Sequence, residues 1–265
     1  MPSALRRHWP EYLMEAAGLG LFMVSAGAFT TLLEHPGSPL RAAIDAALPR
    51  RALMGLAMGA TALLLITSPW GRRSGAHINP SVTLAFWRLG RIGGADALFY
   101  VLAQFFGAAA GMGALALLLS GPLAHPWVMF AATLPGPAGG RTAVAGEAAI
   151  SFFLMLSILA ASSSPRSERA TPVVAAALVA LYITFEAPLS GMSMNPARSF
   201  GSALLAGRWD AFWIYAVVPP MAMMAAAELF VRVRGAARVH CAKLDHRGAA
   251  RCIFRCGHRS LATNA

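Results

Sequence analysis

Two short stretches of the chain repeat one pattern of residues that can place a hydrogen-bond donor in front of a small polar molecule. The first reads Ser-Gly-Ala-His-Ile-Asn-Pro-Ser over positions 74–81, and the second reads Ser-Gly-Met-Ser-Met-Asn-Pro-Ala over positions 190–197. Asn is a good helix N-cap, and Pro suits the first helical position because its missing N–H would have no partner there. Each copy therefore predicts the start of a helix, and the residues concerned are Asn79, Pro80, Ser81, Asn195, Pro196 and Ala197.

An apolar run accompanies each copy, at 78–89 and at 194–205, and neither run has the roughly 20 residues that a membrane crossing takes. A half-length helix inside a membrane must have its ends in protein or in a water-filled cavity. If two such helices enter from opposite faces, their N-termini meet near the middle, and each carries roughly half a positive charge. The pair would oppose cations, including hydronium, while the two Asn amides donate to passing water.

The rest of the chain has the composition of a membrane protein. Hydrophobic residues make up 57% of its 265 residues and charged residues only 12%, whereas a soluble domain usually carries roughly 25% charged residues. Six apolar segments approach the length of a spanning helix, at 12–33, 52–67, 98–119, 142–161, 172–187 and 211–231. The sequence thus predicts an all-α membrane protein with six transmembrane helices and two half-membrane helices.

These elements divide into two sets of three helices, each with its own half-helix. Glu15 and Glu147 each lie near the start of the first helix of a set. Because three is an odd number, the second set must enter the membrane from the opposite side, which makes an inverted repeat with its site at the midplane. The predicted units are residues 1–135, residues 136–232 and a basic cytoplasmic tail at 233–265 that we expect to be disordered.

The formal charge of +11 could indicate a nucleic-acid partner. The basic residues fall between apolar runs and in the tail, however, and form no continuous basic face, so we expect no binding to nucleic acid. With both termini in the cytoplasm, 16 of the 22 basic residues lie on the inner side, as the positive-inside rule requires. We expect a multi-pass protein in contact with membrane lipid, in a bacterial inner membrane.

The two Asn-Pro stretches resemble the two signature boxes of the aquaporin (major intrinsic protein) family. The resemblance extends from Glu11 to about Arg232 and includes Gln104 in the third helix. It implies a right-handed bundle of six tilted helices with two half-helices, assembled as a homotetramer with one pore per subunit. It also implies that Asn79 and Asn195 face the pore at mid-membrane. One position departs from the family, because Ser81 stands where Ala is usual.

The same resemblance suggests a selectivity constriction. Arg198 follows the second box, and the family places this Arg at the outer constriction, where it donates to the solute and repels cations. Counting along the chain adds Met192, Ile183 on the fifth helix and Met58 on the second. Water-selective members usually have a His and an aromatic residue where Ile183 and Met58 stand, which favours a less water-specific pore. Glycerol-conducting members usually have Asp where this chain has Ser199, so the solute stays open.

Three further polar residues lie within apolar surroundings. By resemblance, Glu15 and Glu147 accept hydrogen bonds from the irregular backbone before each half-helix, since a buried carboxylate needs partners. A proton relay is the alternative role for these carboxylates. His77 is predicted to bond to loop backbone, and a pH-dependent gate is its alternative role.

The tail contains Cys and His residues, which are also the ligands of zinc sites. They are His240, Cys241, His246, Cys252, Cys256 and His258. Their spacing matches no closed zinc site, so we expect no metal and no cofactor, and we interpret the tail as a basic segment beside anionic lipid.

The sequence therefore predicts a passive channel that conducts water, with small neutral solutes as possible further partners, and excludes ions. A glycerol-type facilitator is the first alternative. A proton- or ion-coupled transporter is a second, because broken helices also suit transporters, although it would need several acidic residues at the midplane. A membrane enzyme is not expected, because the sequence offers no cluster of a nucleophile with a base, or of metal ligands, at one membrane depth.

Overall fold

The computed structural model describes residues 2–247 and 251–257, and within them it contains helices and turns but no β-strand. Six of the helices are long and apolar enough to cross a membrane, as predicted. The helices are α1 (Pro2–Glu34), α2 (Pro39–Ala43), α3 (Ala47–Thr67), α4 (Pro69–Ser74), α5 (Pro80–Arg88), α6 (Gly94–Ala124), α7 (Gly140–Ser162), α8 (Thr171–Phe185), α9 (Ala187–Ser190), α10 (Pro196–Ala206) and α11 (Phe212–Arg234).

The six long helices α1, α3, α6, α7, α8 and α11 mostly extend beyond the apolar segments that predicted them. Polar residues continue the helix once it leaves the apolar region: α1 already begins at Pro2, and the His8 ring near its start bonds to the Asp96 carboxylate at 2.7 Å. The helix α6 bends near its end, where Leu119 has φ −130° and ψ 37°. Pro122 lies three residues further on and cannot donate to the helix, which accounts for a bend there.

The outer surface of the bundle is apolar. Leu64, Phe106 and Leu117 expose 71%, 71% and 89% of their surface, although each lies on a long helix. Such side chains would associate in water but are ordinary against lipid tails. Many of the buried polar residues, in contrast, belong to the two short helices α5 and α10 and to the loops that precede them. The protein is therefore an integral multi-pass membrane protein.

Small residues bring the long helices close together. Gly107 on α6 lies directly against the Ala16 backbone of α1. On the other side of the bundle, a Cβ atom on Gly59 of α3 would come within 2.8 Å of the Ala176 carbonyl oxygen of α8. Because membrane helices associate largely through close packing, larger residues at either glycine would push these pairs apart.

The tail differs from the disordered segment that the sequence predicts. Val239, Ala242 and Leu244 are buried against the rest of the protein, and so is Phe254. The tail packs at the end of the bundle that also holds the N-terminal region, since the Arg251 guanidinium donates to the Arg7 carbonyl oxygen at 3.0 Å. The composition of the tail does not predict this packing, because its apolar residues are few and lie among basic ones. Residues 248–250 and 258–265 of the predicted tail lie outside the described part of the chain.

Candidate functional site

The two Asn-Pro loops meet inside the bundle and are cross-linked by their own Asn side chains. The Asn79 amide nitrogen donates to the Met194 carbonyl oxygen at 2.8 Å, and the Asn195 amide nitrogen donates to the Ile78 carbonyl oxygen at 2.8 Å. Each Asn oxygen also caps its own helix: that of Asn79 accepts from the Ser81 N–H at 2.8 Å. The start of α5 and the start of α10 are thereby held facing one another.

The backbone before each Asn follows the same unusual course. Gly75 and Gly191 both have positive φ angles, of 99° and 81°. Ile78 and Met194, one residue before each Asn, also lie in the left-handed region, with φ 39° and 56°. A non-glycine residue rarely adopts this conformation, and such strain persists only where the surroundings hold it in place.

A buried carboxylate supplies that support in each half. Glu15 accepts hydrogen bonds from the Ser74 hydroxyl at 2.7 Å and from the backbone N–H groups of His77 at 3.1 Å and Ile78 at 2.6 Å. It also accepts from the Gln104 amide at 2.9 Å. The carboxylate thereby holds the loop in place and gives its buried backbone N–H groups the acceptor that they need.

Glu147 does the same for the second loop. It accepts from the Ser190 hydroxyl at 2.9 Å and from the backbone N–H groups of Ser193 at 2.6 Å and Met194 at 2.8 Å. Both glutamates are fully buried. The contacts are those expected of structural supports.

Two tyrosines complete the framework, and the sequence reasoning missed them. The Tyr100 hydroxyl donates to the Ser74 carbonyl oxygen at 2.6 Å, and the Tyr215 hydroxyl donates to the Ser190 carbonyl oxygen at 2.5 Å. The tyrosines follow their serines by 26 and 25 residues. An alignment of the two halves at the Ser-Gly pairs would have found them.

The surroundings of the two loops differ around this shared framework. On the first loop, His77 bonds through Nδ1 to the Thr83 hydroxyl at 3.0 Å and through Nε2 to the Ala242 carbonyl oxygen at 2.8 Å, so it contacts the tail as well as the loop. On the second loop, Ser193 occupies the corresponding position and bonds to the Ser199 hydroxyl at 2.5 Å.

One cavity of about 230 Å³ runs along the meeting point of the loops. Asn79 and Asn195 both line it, together with Ile78 and Met194. The four residues predicted to form the constriction also line it, and these are Met58, Ile183, Met192 and Arg198. The structure thus brings together around one cavity residues from α3, α8, α10 and the second Asn-Pro loop.

The other four residues of the boxes do not face this cavity. Pro80, Ser81, Pro196 and Ala197 are buried and are not among the residues that line the cavity. Their role as pore-lining residues stays a prediction. The Ser that departs from the family pattern does not touch the passage.

The guanidinium of Arg198 has a nitrogen that is not used in a hydrogen bond among the described residues. Its backbone N–H donates to the Asn195 side-chain oxygen at 3.2 Å, which fixes the residue in the first turn of α10. Its Nη1 atom is buried and has no hydrogen-bond partner among the described residues. A guanidinium nitrogen in this state is an available donor on the cavity wall.

The sequence reasoning also missed residues at both ends of the cavity. Glu34, Arg51 and Met54 line it near the loop that joins α1 to α3. Leu244 lines it at the opposite end, where the tail packs. Glu34 and Arg51 belong to no recognisable sequence motif. Leu244 lines the cavity only because the tail folds back against the bundle.

Comparisons with known proteins agree with this geometry. Residues 7–230 match the family described as major intrinsic protein. The chain is 37% identical to aquaporin NIP1-1 of Zea mays over 175 residues, which are 65% of this chain and 60% of that protein. It is 38% identical to a probable aquaporin, AqpM, of Archaeoglobus fulgidus over 181 residues, which are 64% of this chain and 72% of that protein. The match thus spans about three fifths of the length of the maize relative.

A solved structure resembles the fold. The X-ray structure of the aquaglyceroporin from Plasmodium falciparum aligns with 85% of this chain and 96% of that chain, with a TM-score of 0.67 and 19% sequence identity. At that identity the likeness concerns the fold alone. It confirms the predicted fold class, an all-α, aquaporin-like arrangement of membrane helices.

Proposed function

The chain belongs to the major intrinsic protein family, and from this premise we propose that it is a passive channel for water and other small uncharged solutes. The observation that carries the proposal is the pair Asn79 and Asn195 on the wall of one cavity. Each side-chain amide has two N–H groups and spends one on the opposite loop, which leaves the other for a molecule in the cavity. Water can accept these hydrogen bonds in passing.

Exclusion of ions follows from the same arrangement. The N-termini of α5 and α10 face one another, and each contributes roughly half a positive charge to the middle of the passage. Arg198 adds a full positive charge on the wall. A cation, including hydronium, would meet this field after losing most of its hydration, whereas a neutral molecule would not.

The carboxylates argue against a coupled transporter. Such a protein needs acidic groups that exchange protons or ions with the passage. Glu15 and Glu147 are committed to loop backbone and do not line the cavity. Glu34 does line it, but its carboxylate is paired with the Arg50 guanidinium at 3.1 Å. Members of this family are channels and not enzymes.

A facilitator of glycerol-like solutes is the second candidate, and the constriction favours it. Met58, Ile183 and Met192 present apolar side chains beside the single Arg198. A small polyol could place its carbon chain on this apolar wall and its hydroxyl groups on the guanidinium and the Asn amides. Water would pass the same constriction as the smaller molecule.

The remaining parts of the proposal concern assembly and location. The termini lie on the cytoplasmic side, as the distribution of basic residues favours. The functional form is a homotetramer embedded in membrane lipid, with one passage in each subunit, as in the family pattern that the chain resembles. The membrane is the bacterial inner membrane.

Osmotic measurements on reconstituted protein test the proposal. Full-length protein in liposomes should speed osmotic shrinkage above that of empty liposomes, with a low activation energy, and glycerol should then speed re-swelling if the second candidate is right. Ile183→Trp should block both fluxes, because it fills the cavity wall. Leu181→Trp is the matched control, since Leu181 lies on the same helix with 51% of its surface exposed. Shrinkage no faster than in empty liposomes, both without and with a metal chelator, would refute the proposal.

A further inference from the structure

The C-terminal tail covers one end of the cavity. The backbone N–H of Leu244 donates to the Gly75 carbonyl oxygen at 3.1 Å, and the His77 ring bonds to the Ala242 carbonyl oxygen. The Phe254 ring stacks on the His77 ring, with centroids 5.4 Å apart and planes inclined by 16°. These contacts attach the tail directly to the first Asn-Pro loop.

The tail also brings four potential metal ligands together, namely Cys241, His246, Cys252 and Cys256. Their ligand atoms all lie within 4.8 Å of one another. Cys241 Sγ is 3.6 Å from Cys252 Sγ, and His246 Nε2 is 3.1 Å from Cys256 Sγ. The intervals between them in the chain are irregular, which is why their spacing in the sequence predicted no site.

These distances match a tetrahedral zinc site. Bonds of about 2.3 Å to sulfur and about 2.0 Å to nitrogen place two sulfur ligands about 3.8 Å apart and a nitrogen about 3.6 Å from each sulfur. The Cys241–Cys252 separation of 3.6 Å is close to the first value, the His246–Cys256 separation of 3.1 Å is shorter than the second, and all four ligand atoms lie within 4.8 Å of one another, so small shifts would place them around one ion. Three thiolates and one imidazole are a common ligand set for structural zinc.

Neighbouring hydrogen-bond donors and a positive charge would stabilise the cysteines as thiolates. The backbone N–H of Lys243 donates to the Cys241 sulfur, and that of Phe254 donates to the Cys252 sulfur. Contacts of this kind orient the ligands of metal sites. The Lys243 ammonium is buried and lies within electrostatic reach of all three cysteines. A zinc ion with three thiolates would carry one net negative charge, and the positive charge of this ammonium would balance it.

A disulfide is the competing chemistry for the cysteines. Bonded sulfurs lie about 2.05 Å apart. Cys241 and Cys252 are separated by 3.6 Å, and all three cysteines are free thiols. On the cytoplasmic side of a membrane, where thiols are kept reduced, clustered cysteines are more often metal ligands than disulfides.

We propose that Cys241, His246, Cys252 and Cys256 bind one zinc ion, and that the bound ion fixes the tail across the cytoplasmic end of the passage. Binding replaces the three S–H bonds with sulfur–zinc bonds and releases three protons to solvent. The closing role rests on the proposed channel function, whereas the metal site does not depend on it.

Leu244 is the residue through which the metal would act on the passage. It lines the 230 Å³ cavity and also a second cavity of about 440 Å³ on the other side of the tail. The second cavity is lined by Cys241 and His246 as well, which gives an ion a route to its ligands. With the metal bound, Leu244 stays between the two cavities, and without it the segment keeps only its contacts to the first loop, so that it moves more readily and the passage widens.

Cobalt(II) is the probe for the metal site, because its visible spectrum reports tetrahedral thiolate coordination. Full-length protein stripped with a chelator should bind one Co²⁺ per chain, show these bands, and lose them when Zn²⁺ displaces the cobalt. Cys252→Ser should weaken binding by at least about 100-fold, since even outer partners of a metal ligand are worth about 10–100-fold. His240→Ala, a nearby histidine outside the cluster, should bind normally. No thiolate bands, or equal binding by Cys252→Ser, would overturn the metal site.

A count of thiols separates metal from disulfide. The chain has three cysteines, all in this cluster. Protein unfolded without reductant and in the presence of a chelator should therefore release three reactive thiols per chain. One thiol per chain would mean a disulfide and would overturn the proposal.

Water permeability in liposomes tests the closing role. A chelator with access to the tail should raise the permeability of the wild-type channel severalfold and leave Cys252→Ser, which is already open, unchanged. Stoichiometric metal binding without any effect of the chelator on permeability would overturn the closing role. If neither protein conducts water with the chelator present, the channel function itself fails, while the cobalt result still decides the metal site.

Discussion

The two Asn-Pro loops are held by the same set of hydrogen bonds but differ in the residues that surround those bonds. In both, a buried glutamate binds a serine hydroxyl and two backbone N–H groups, and a tyrosine hydroxyl binds the serine carbonyl oxygen. In both, the Asn amide crosses to the other loop. The repeated part thus fixes the geometry at the middle of the passage.

The residues that differ between the two loops lie toward the two ends of the cavity. Three residues after its Asn, the first loop has Val82 and the second has Arg198, and both side chains line the cavity. Two residues before its Asn, the first loop has His77, which binds the tail, and the second has Ser193. The second loop thus places a charged side chain on the cavity wall, whereas the first loop holds the tail.

The largest effect is expected from removing the shared framework. Glu15→Ala and Glu147→Ala should each lower the thermal unfolding temperature in detergent strongly and by similar amounts. Each variant leaves two buried backbone N–H groups without an acceptor, at a cost of about 1–3 kcal/mol for each group. Glu228→Ala, which removes exposed ion pairs to Arg88 and Arg232, should have little effect. If either framework variant unfolds at the wild-type temperature, the two loops are not held in the same way.

The next effect concerns the solute. Arg198→Val gives the second loop the residue of the first, removes the charge from the cavity wall and widens the constriction. Glycerol permeability in liposomes should rise, and the barrier to cations should fall. Val82→Ala, at the corresponding position of the first loop, should keep the cation barrier. An unchanged selectivity of Arg198→Val would mean that the guanidinium does not contact the solute.

A smaller effect is expected where the first loop holds the tail. His77→Ser, which copies the second loop, removes the bond to the Ala242 carbonyl oxygen and the stacking on Phe254. Limited proteolysis should then cut the tail faster, while the bundle stays resistant. Ser193→Ala, at the matching position, should leave the rate of tail cleavage at the wild-type value. Equal cleavage of wild type and His77→Ser would show that other contacts hold the tail.

The smallest effect is expected from the tyrosine hydroxyls. Tyr100→Phe and Tyr215→Phe each remove one buried hydrogen bond, which contributes about 0.5–1.5 kcal/mol. Both variants should unfold slightly below the wild-type temperature and should conduct normally. A large loss in one variant alone would show that the framework is less symmetric than its bond lengths suggest.

Much of this architecture could be predicted from the sequence because lipid and backbone chemistry leave few choices. Apolar runs predict the spanning helices, and a duplicated Asn-Pro start predicts two half-helices that meet. A carboxylate in an apolar helix needs partners, and the family resemblance implies that the partners of Glu15 and Glu147 are the backbone groups before each half-helix.

The remaining features depend on contacts that local patterns do not record. Pro80, Ser81, Pro196 and Ala197 are predicted to line the pore but are not among the residues that line the cavity, and the direction of such side chains depends on how each helix is rotated. The four ligands of the tail come together only when the chain folds back on the first loop. Irregular spacing and a basic composition gave no local signal of that fold.

The central claim is that the meeting of the two helix starts admits neutral molecules and stops charge. The direct measurement records water flux and proton flux in the same proteoliposomes, one by light scattering after an osmotic step and the other by an internal pH dye under a pH gradient. We predict water permeability well above that of empty liposomes together with proton flux no higher than theirs. Proton flux that rises with the amount of reconstituted protein would contradict this account.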